Sequence, residues 1–199
     1  MTNVVSFNEP QPRGKHNLDK FPKHLQARYV SENKIYTLTI KDDYVFKTCK
    51  YEFKIPKDSL TDNSVTLIAD TLYNNITKEK HKVILEGDTL IFKFDEDKID
   101  TIFKISDKCV LRQFKGYYFL NKLSDDGSWD IQQLYLSKGI LTINYVTDSN
   151  SIYKLKELTH SKNDTASFSL TKTQFKTFIK SGGFNKGINF YRLREPVKR

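Results

Sequence analysis

From Tyr36 onward the chain places large apolar side chains at every second position: Tyr36, Leu38 and Ile40 with Thr37 and Thr39 between them, then Tyr44 and Phe46, then Tyr51, Phe53 and Ile55. Side chains two apart share a face only when the backbone is extended, whereas a helix repeats every 3.6 residues. The pattern therefore demands strands. It recurs at Leu90, Phe92 and Phe94, from Val110 to Leu120, at Trp129 and Ile131, at Leu134 and Leu136, and at Leu141, Ile143 and Tyr145. The aromatic share of 13%, mostly Phe and Tyr, suits half-buried sheet surfaces better than helical stripes.

Turn chemistry punctuates these runs. Asp42-Asp43, Glu86-Gly87-Asp88 and Asp125-Asp126-Gly127-Ser128 each separate two alternating segments and predict hairpins. Pro56 ends the strand of Ile55. Residues 57–77 fit either period and are read as irregular or strand structure, and Asp95-Glu96-Asp97 as an acidic loop. Residues 1–20, with Pro10, Pro12 and Gly14, predict an extended lead-in outside the core, so the fold is expected to begin near Phe21.

Two helices are expected late in the chain. Ser149 can cap a short one with Ile152, Leu155 and Leu158 inward. The second has stronger marks: Thr171 and Gln174 spell a capping box, Phe175, Phe178 and Ile179 form its apolar stripe, and Gly182-Gly183 supply a left-handed stop. A closing strand is expected from Ile188 to Leu193.

An internal echo bears on organisation. Leu25-Gln26-Ala27-Arg28-Tyr29-Val30 is answered by Phe114-Lys115-Gly116-Tyr117-Tyr118-Phe119, and Tyr29 and Tyr118 stand 89 residues apart. The expected fold class is mainly β (α+β), as two related antiparallel β-rich halves, barrel-like or curved, with two short helices in the C-terminal half. The boundaries are 1–20 for the lead-in, 21–108 for the first half and 109–199 for the second. Small residues at Ala27 and Gly116 are read as places where another backbone passes close.

Charge is unevenly placed. The formal net charge is +9, of which residues 1–99 carry +1 and residues 100–199 carry +8. Lys172, Lys176, Lys180, Lys186, Arg192 and Arg194 make the C-terminal face the candidate partner-binding surface, one suited to an acidic protein. A solvated lysine-rich surface is the plain alternative, since only six of the 33 basic residues are Arg.

Chemistry leaves little trace. His16, His24, His81 and His160 lack a second ligand at metal spacing, and no nucleophile elbow, phosphate-cradling loop or dinucleotide fingerprint occurs. No metal, cofactor or catalytic residue is assigned, and the chain is read as a non-enzyme. Cys49 and Cys109, without Cys-x-x-Cys spacing, leave either one disulfide or two free thiols. No apolar run approaches the roughly 18 residues of a membrane span. The start Met1-Thr2-Asn3-Val4-Val5 lacks the basic and apolar regions of a signal peptide.

Three stretches carry a family likeness: Phe7-Asn8-Glu9-Pro10-Gln11-Pro12 with Phe21-Pro22-Lys23-His24-Leu25-Gln26, then Val110-Leu111-Arg112-Gln113-Phe114-Lys115-Gly116-Tyr117 followed by Trp129, and Thr173-Gln174-Phe175-Lys176 through Gly182-Gly183-Phe184. Together they resemble a group of uncharacterised, lipoprotein-like envelope proteins of Bacteroidota. The resemblance implies a lipid-anchored cell-envelope location, periplasmic or at the outer membrane. The acylated cysteine of that group has no counterpart here, where Met1-Thr2 stands, and a chain without such a leader would be cytoplasmic. No activity comes with the likeness. The expected function is binding of a partner protein without catalysis, of an inhibitor or immunity type. The alternatives are a carrier of a small apolar ligand inside a β-barrel, and nucleic-acid binding through the basic face.

Overall fold

The structure, a computed structural model, describes residues 5–60, 64–161 and 167–193, and at residues 50, 51 and 94–99 only the course of the backbone. In chain order come β1 (Ser6–Phe7), β2 (Asn17–Leu18), β3 (Arg28–Ser31), β4 (Tyr36–Ile40) and β5 (Tyr44–Pro56). Next are β6 (Val65–Ile68), β7 (Thr71–Asn74), β8 (Lys80–Glu86), β9 (Thr89–Lys104), β10 (Cys109–Phe114) and β11 (Tyr117–Leu123). The chain closes with β12 (Trp129–Ser137), β13 (Ile140–Tyr145), α1 (Ser149–Thr159), β14 (Ser167–Phe168), α2 (Lys172–Lys180) and β15 (Lys186–Arg192). Of the described residues about half lie in strands and 13% in helices, two of them α-helices, so the protein is mainly β, as the alternation requires.

A large curled half-barrel sheet carries most of these strands, with a smaller second sheet beside it. The order is β2-β10-β11-β12-β13-β15-β3-β4-β5-β9-β8-β7-β6. β15, from the second half, pairs antiparallel with β3 of the first: Phe190 opposes Ser31, Tyr191 opposes Val30, and Arg192 opposes Tyr29. Backbone pairing thus runs unbroken across the expected boundary. The largest buried cluster crosses it too, joining Leu25, Tyr29, Leu38, Ile40 and Val45 to Leu111, Tyr118, Leu134, Leu141 and Phe190.

The echoed tyrosines both face this cluster. Tyr29 is fully buried and its hydroxyl donates to the Leu25 carbonyl at 2.8 Å, while the Tyr118 hydroxyl lies 3.4 Å from His24 Nε2. Burial holds both phenols above their ordinary pKa. Gly116 differs from its expected role. A Cβ there would meet nothing within 4 Å, so no backbone crowds it. What requires glycine is its φ of +84°, next to Lys115 at +55°, in the two-residue turn that joins Phe114 to Tyr117.

Three further expectations change. The lead-in, two short strands joined by bends and a turn, belongs to the core: Val5, Phe7 and Gln11 are buried, β1 lies between β12 and β14, and Phe7 joins the cluster beneath the helices. Arg112 fixes its course, donating to Asn17 Oδ1 at 2.9 Å and to the carbonyls of Pro12 and Pro10. The prolines that suggested a detached segment instead lie among the bends and the turn between β1 and β2, where the Lys15 amide donates to the Pro12 carbonyl at 3.3 Å. The acidic run Asp95–Asp97 is not a loop, because β9 continues through it. Between the pairs Lys47↔Asp100 and Cys49↔Glu96 the β9 side carries extra residues, and an irregularity in the ladder absorbs them. The N-cap of α1 is Asp148, whose carboxylate accepts from the Ser151 amide at 2.6 Å and is held below its usual pKa by that contact. Cys49 and Cys109 are both free and half-buried.

Candidate functional site: a lysine-rimmed groove

α2 packs on one face of the second half. Its Thr171 side chain accepts from the Gln174 amide, the Gln174 side chain accepts from the Thr171 amide, and Gln174 Nε2 donates across to the Leu158 carbonyl of α1. Phe175 and Phe178 are fully buried, with Phe175 meeting Phe119 edge-on at 5.0 Å between ring centroids. Two inward aromatics three residues apart fix the rotation of the helix about its axis. Lys172, Lys176 and Lys180, spaced by four, then share one flank, with Lys172 and Lys180 exposed and Lys176 half-buried. α2 contains no acidic residue.

Opposite this flank stands the Lys115-Gly116 turn. Between turn and helix lies a groove of about 290 Å³ lined by Phe114, Lys115, Tyr117, Lys176, Ile179 and Lys180. Phe114 is nearly buried and belongs to the cluster under the helices, Tyr117 packs against Tyr135 at 5.1 Å between centroids, and Lys15 places its ammonium 5.7 Å from the Phe114 ring centre. The floor is apolar and the rim cationic. Among the described residues no carboxylate forms an ion pair with Lys115, Lys176 or Lys180.

The remaining sequence-identified residues lie elsewhere. Lys186 and Arg192 stand an even number of residues from Phe190 on β15 and so share its face, the side of the inner cluster, whereas α2 packs over the cluster on the other side of the sheet. Arg192 is exposed and donates to the His24 carbonyl at 3.4 Å. Arg194 lies outside the described residues. The structure therefore gathers three of the six predicted residues, Lys172, Lys176 and Lys180, and separates them from Lys186 and Arg192. What the sequence reading missed is the turn. Phe114-Lys115-Gly116-Tyr117 has the composition of a two-residue hairpin turn, and reading it so would have placed Lys115 at the sheet's end.

A second depression, shallow and about 800 Å³, lies on the inner face where Ser31, Tyr36, Lys47, Ile188 and Phe190 meet. Lys47 pairs there with Asp100 at 3.3 Å and sits 5.0 Å from the Tyr36 ring centre. Among the described residues no three of His, Cys, Asp and Glu group in a way that could hold a metal ion. His24 sits beside Tyr118, His81 lies 4.0 Å from Glu79, and His160 ends α1 in a left-handed conformation. No helix among the described residues is long and apolar enough to cross a membrane. Comparison with protein-family models, curated proteins and solved structures finds no match to this chain.

Proposed function

We propose that this protein acts without catalysis, by binding an acidic partner protein at the face formed by α2 and the Lys115-Gly116 turn. The observation that supports this most is the groove's rim, where Lys115, Lys176 and Lys180 stand without carboxylate partners among the described residues around an apolar floor. Uncompensated charge of one sign raises the local concentration of an oppositely charged partner and speeds encounter. A solvated lysine surface needs no apolar floor; a binding surface gains its affinity there. The cell envelope, which the family resemblance implies, and an inhibitor or immunity role are parts of the same proposal.

The test is titration of fluorescein-labelled polyglutamate into the full chain, a double variant Lys176→Glu, Lys180→Glu, a triple variant that adds Lys115→Glu, and a control Lys186→Glu, Arg192→Glu that matches the double variant's charge change on the other side of the sheet. The expected result is strong loss of binding in the double and triple variants and near-native binding in the control, with affinity falling as salt rises. Equal binding by wild type and triple variant would reject this face. A duplex oligonucleotide run as competitor separates the nearest rival: displacement of polyglutamate at much lower charge concentration would turn the reading toward nucleic acid.

A second reading has one observation in its favour. The inner-face depression exposes Tyr36 and Ile188, which could meet a small apolar ligand. Glu32, Lys47 and Asn189 share that lining, and the inner cluster beside it is filled by side chains, so the groove at α2 carries the stronger case.

A further inference from the structure

Charge alone gives a lysine rim speed of encounter more than strength, because exposed ion pairs are screened and contribute little each. Stable complexes concentrate their affinity in a few side chains that enter dry, preformed pockets. The groove at α2 has the features of such a pocket.

Its walls are held on both sides. The helix cannot roll, because Phe175 and Phe178 are buried and Gln174 ties it to α1. The turn is short, with both Lys115 and Gly116 held in left-handed conformations between paired Phe114 and Tyr117. Tyr117 leans on Tyr135, and Ile179 projects from the last turn of α2 toward the same space. At about 290 Å³ the groove sits at the lower edge of the size range of small-molecule sites, with room for one large side chain.

From this juxtaposition of an apolar slot and three ammonium groups without a carboxylate partner among the described residues we infer that the partner's acidic segment carries one large apolar side chain, which seats between Phe114, Tyr117 and Ile179. Carboxylates on either side of it reach Lys115 across the turn and Lys176 and Lys180 along the helix. The inference rests on the acidic-partner reading and adds the anchor to it. Burying the apolar side chain brings the flanking carboxylates close to lysines whose stems line the slot, where partial removal of water strengthens each contact.

Two fluorescein-labelled peptides of equal length and charge, built of Asp and Glu around a central Leu or a central Ser, test it by anisotropy against the full chain. The Leu peptide is expected to bind wild type about ten-fold or more tightly than the Ser peptide. Ile179→Ala should remove that preference, and Lys176→Glu should weaken both peptides alike. The preference on wild type is itself decisive, so a poorly folded variant leaves the test intact. Equal affinities of the two peptides for wild type, with both still weakened by Lys176→Glu, would overturn the anchor while leaving the acidic-partner reading in place. Failure of both peptides to bind would overturn both.

Discussion

A side chain at Gly116 would touch nothing, yet its φ of +84° is costly for any residue with a Cβ; at Gly183 the backbone is unremarkable, but a Cβ would lie 2.3 Å from the buried ring of Phe178. The two glycines are needed for different reasons, one conformational and one steric. Gly116→Ala should cost about 1–2 kcal/mol through the left-handed penalty. Gly183→Ala should cost more, about 2–3 kcal/mol, because Phe178 cannot withdraw from a filled cluster without disturbing Phe184 and Phe175. Urea unfolding of both variants measures the order; a larger loss at Gly116 would contradict the steric account. The sequence singles out both glycines but lends each the other's reason, a close approach at Gly116 and a left-handed stop at Gly182-Gly183. Which of the two causes applies was illegible, since φ and neighbour distances arise only once the chain is folded.

At the scale of elements, the helix that presents the lysines is held by its ends as much as by its stripe. Thr171 closes the capping box, so Thr171→Ala should lose about 1 kcal/mol of stability, seen as a lower urea midpoint with an unchanged slope. If capping also fixes the helix start against α1, the same variant should loosen the groove, and weaker polyglutamate binding would accompany the lower midpoint. This element was readable beforehand almost residue by residue: Thr171, Gln174, Phe175, Phe178 and Gly182 each signal locally. So were the hairpins at Asp42-Asp43 and Gly87. The acidic run of β9 and the lead-in were not, because their structure is imposed from far away. Asp95–Asp97 stay in a strand because β5 runs alongside, and Phe7 is buried because Trp129 and Phe168 flank it after folding. The same limit hid the groove, which joins a turn near residue 115 to a helix beginning at 172.

For the whole molecule the pairing of β15 with β3 has the widest effect, since it merges two halves that the sequence divides near residue 108. Shared pairing and a shared inner cluster require that neither half keep its packing when the other opens. Thermal or urea unfolding should therefore be a single transition, with the fluorescence of the lone Trp129, in the second half, coinciding with far-UV circular dichroism of all strands. Two resolved steps would show halves that stand alone. Replacing Phe190 by Ala, at the seam, should cost about 3–5 kcal/mol and lower that one transition without splitting it. The alternation, read locally, established strands and their turns; the seam depends on a match between residues about 160 positions apart, and no local pattern announces it. The clasp of Ser6–Phe7 on Ser167–Phe168 has a consequence for biosynthesis. A ribosome makes β1 well before Trp129 and later still Ser167–Phe168, so β1 can meet β12 first and gains its second neighbour only when the surroundings of both helices are being completed.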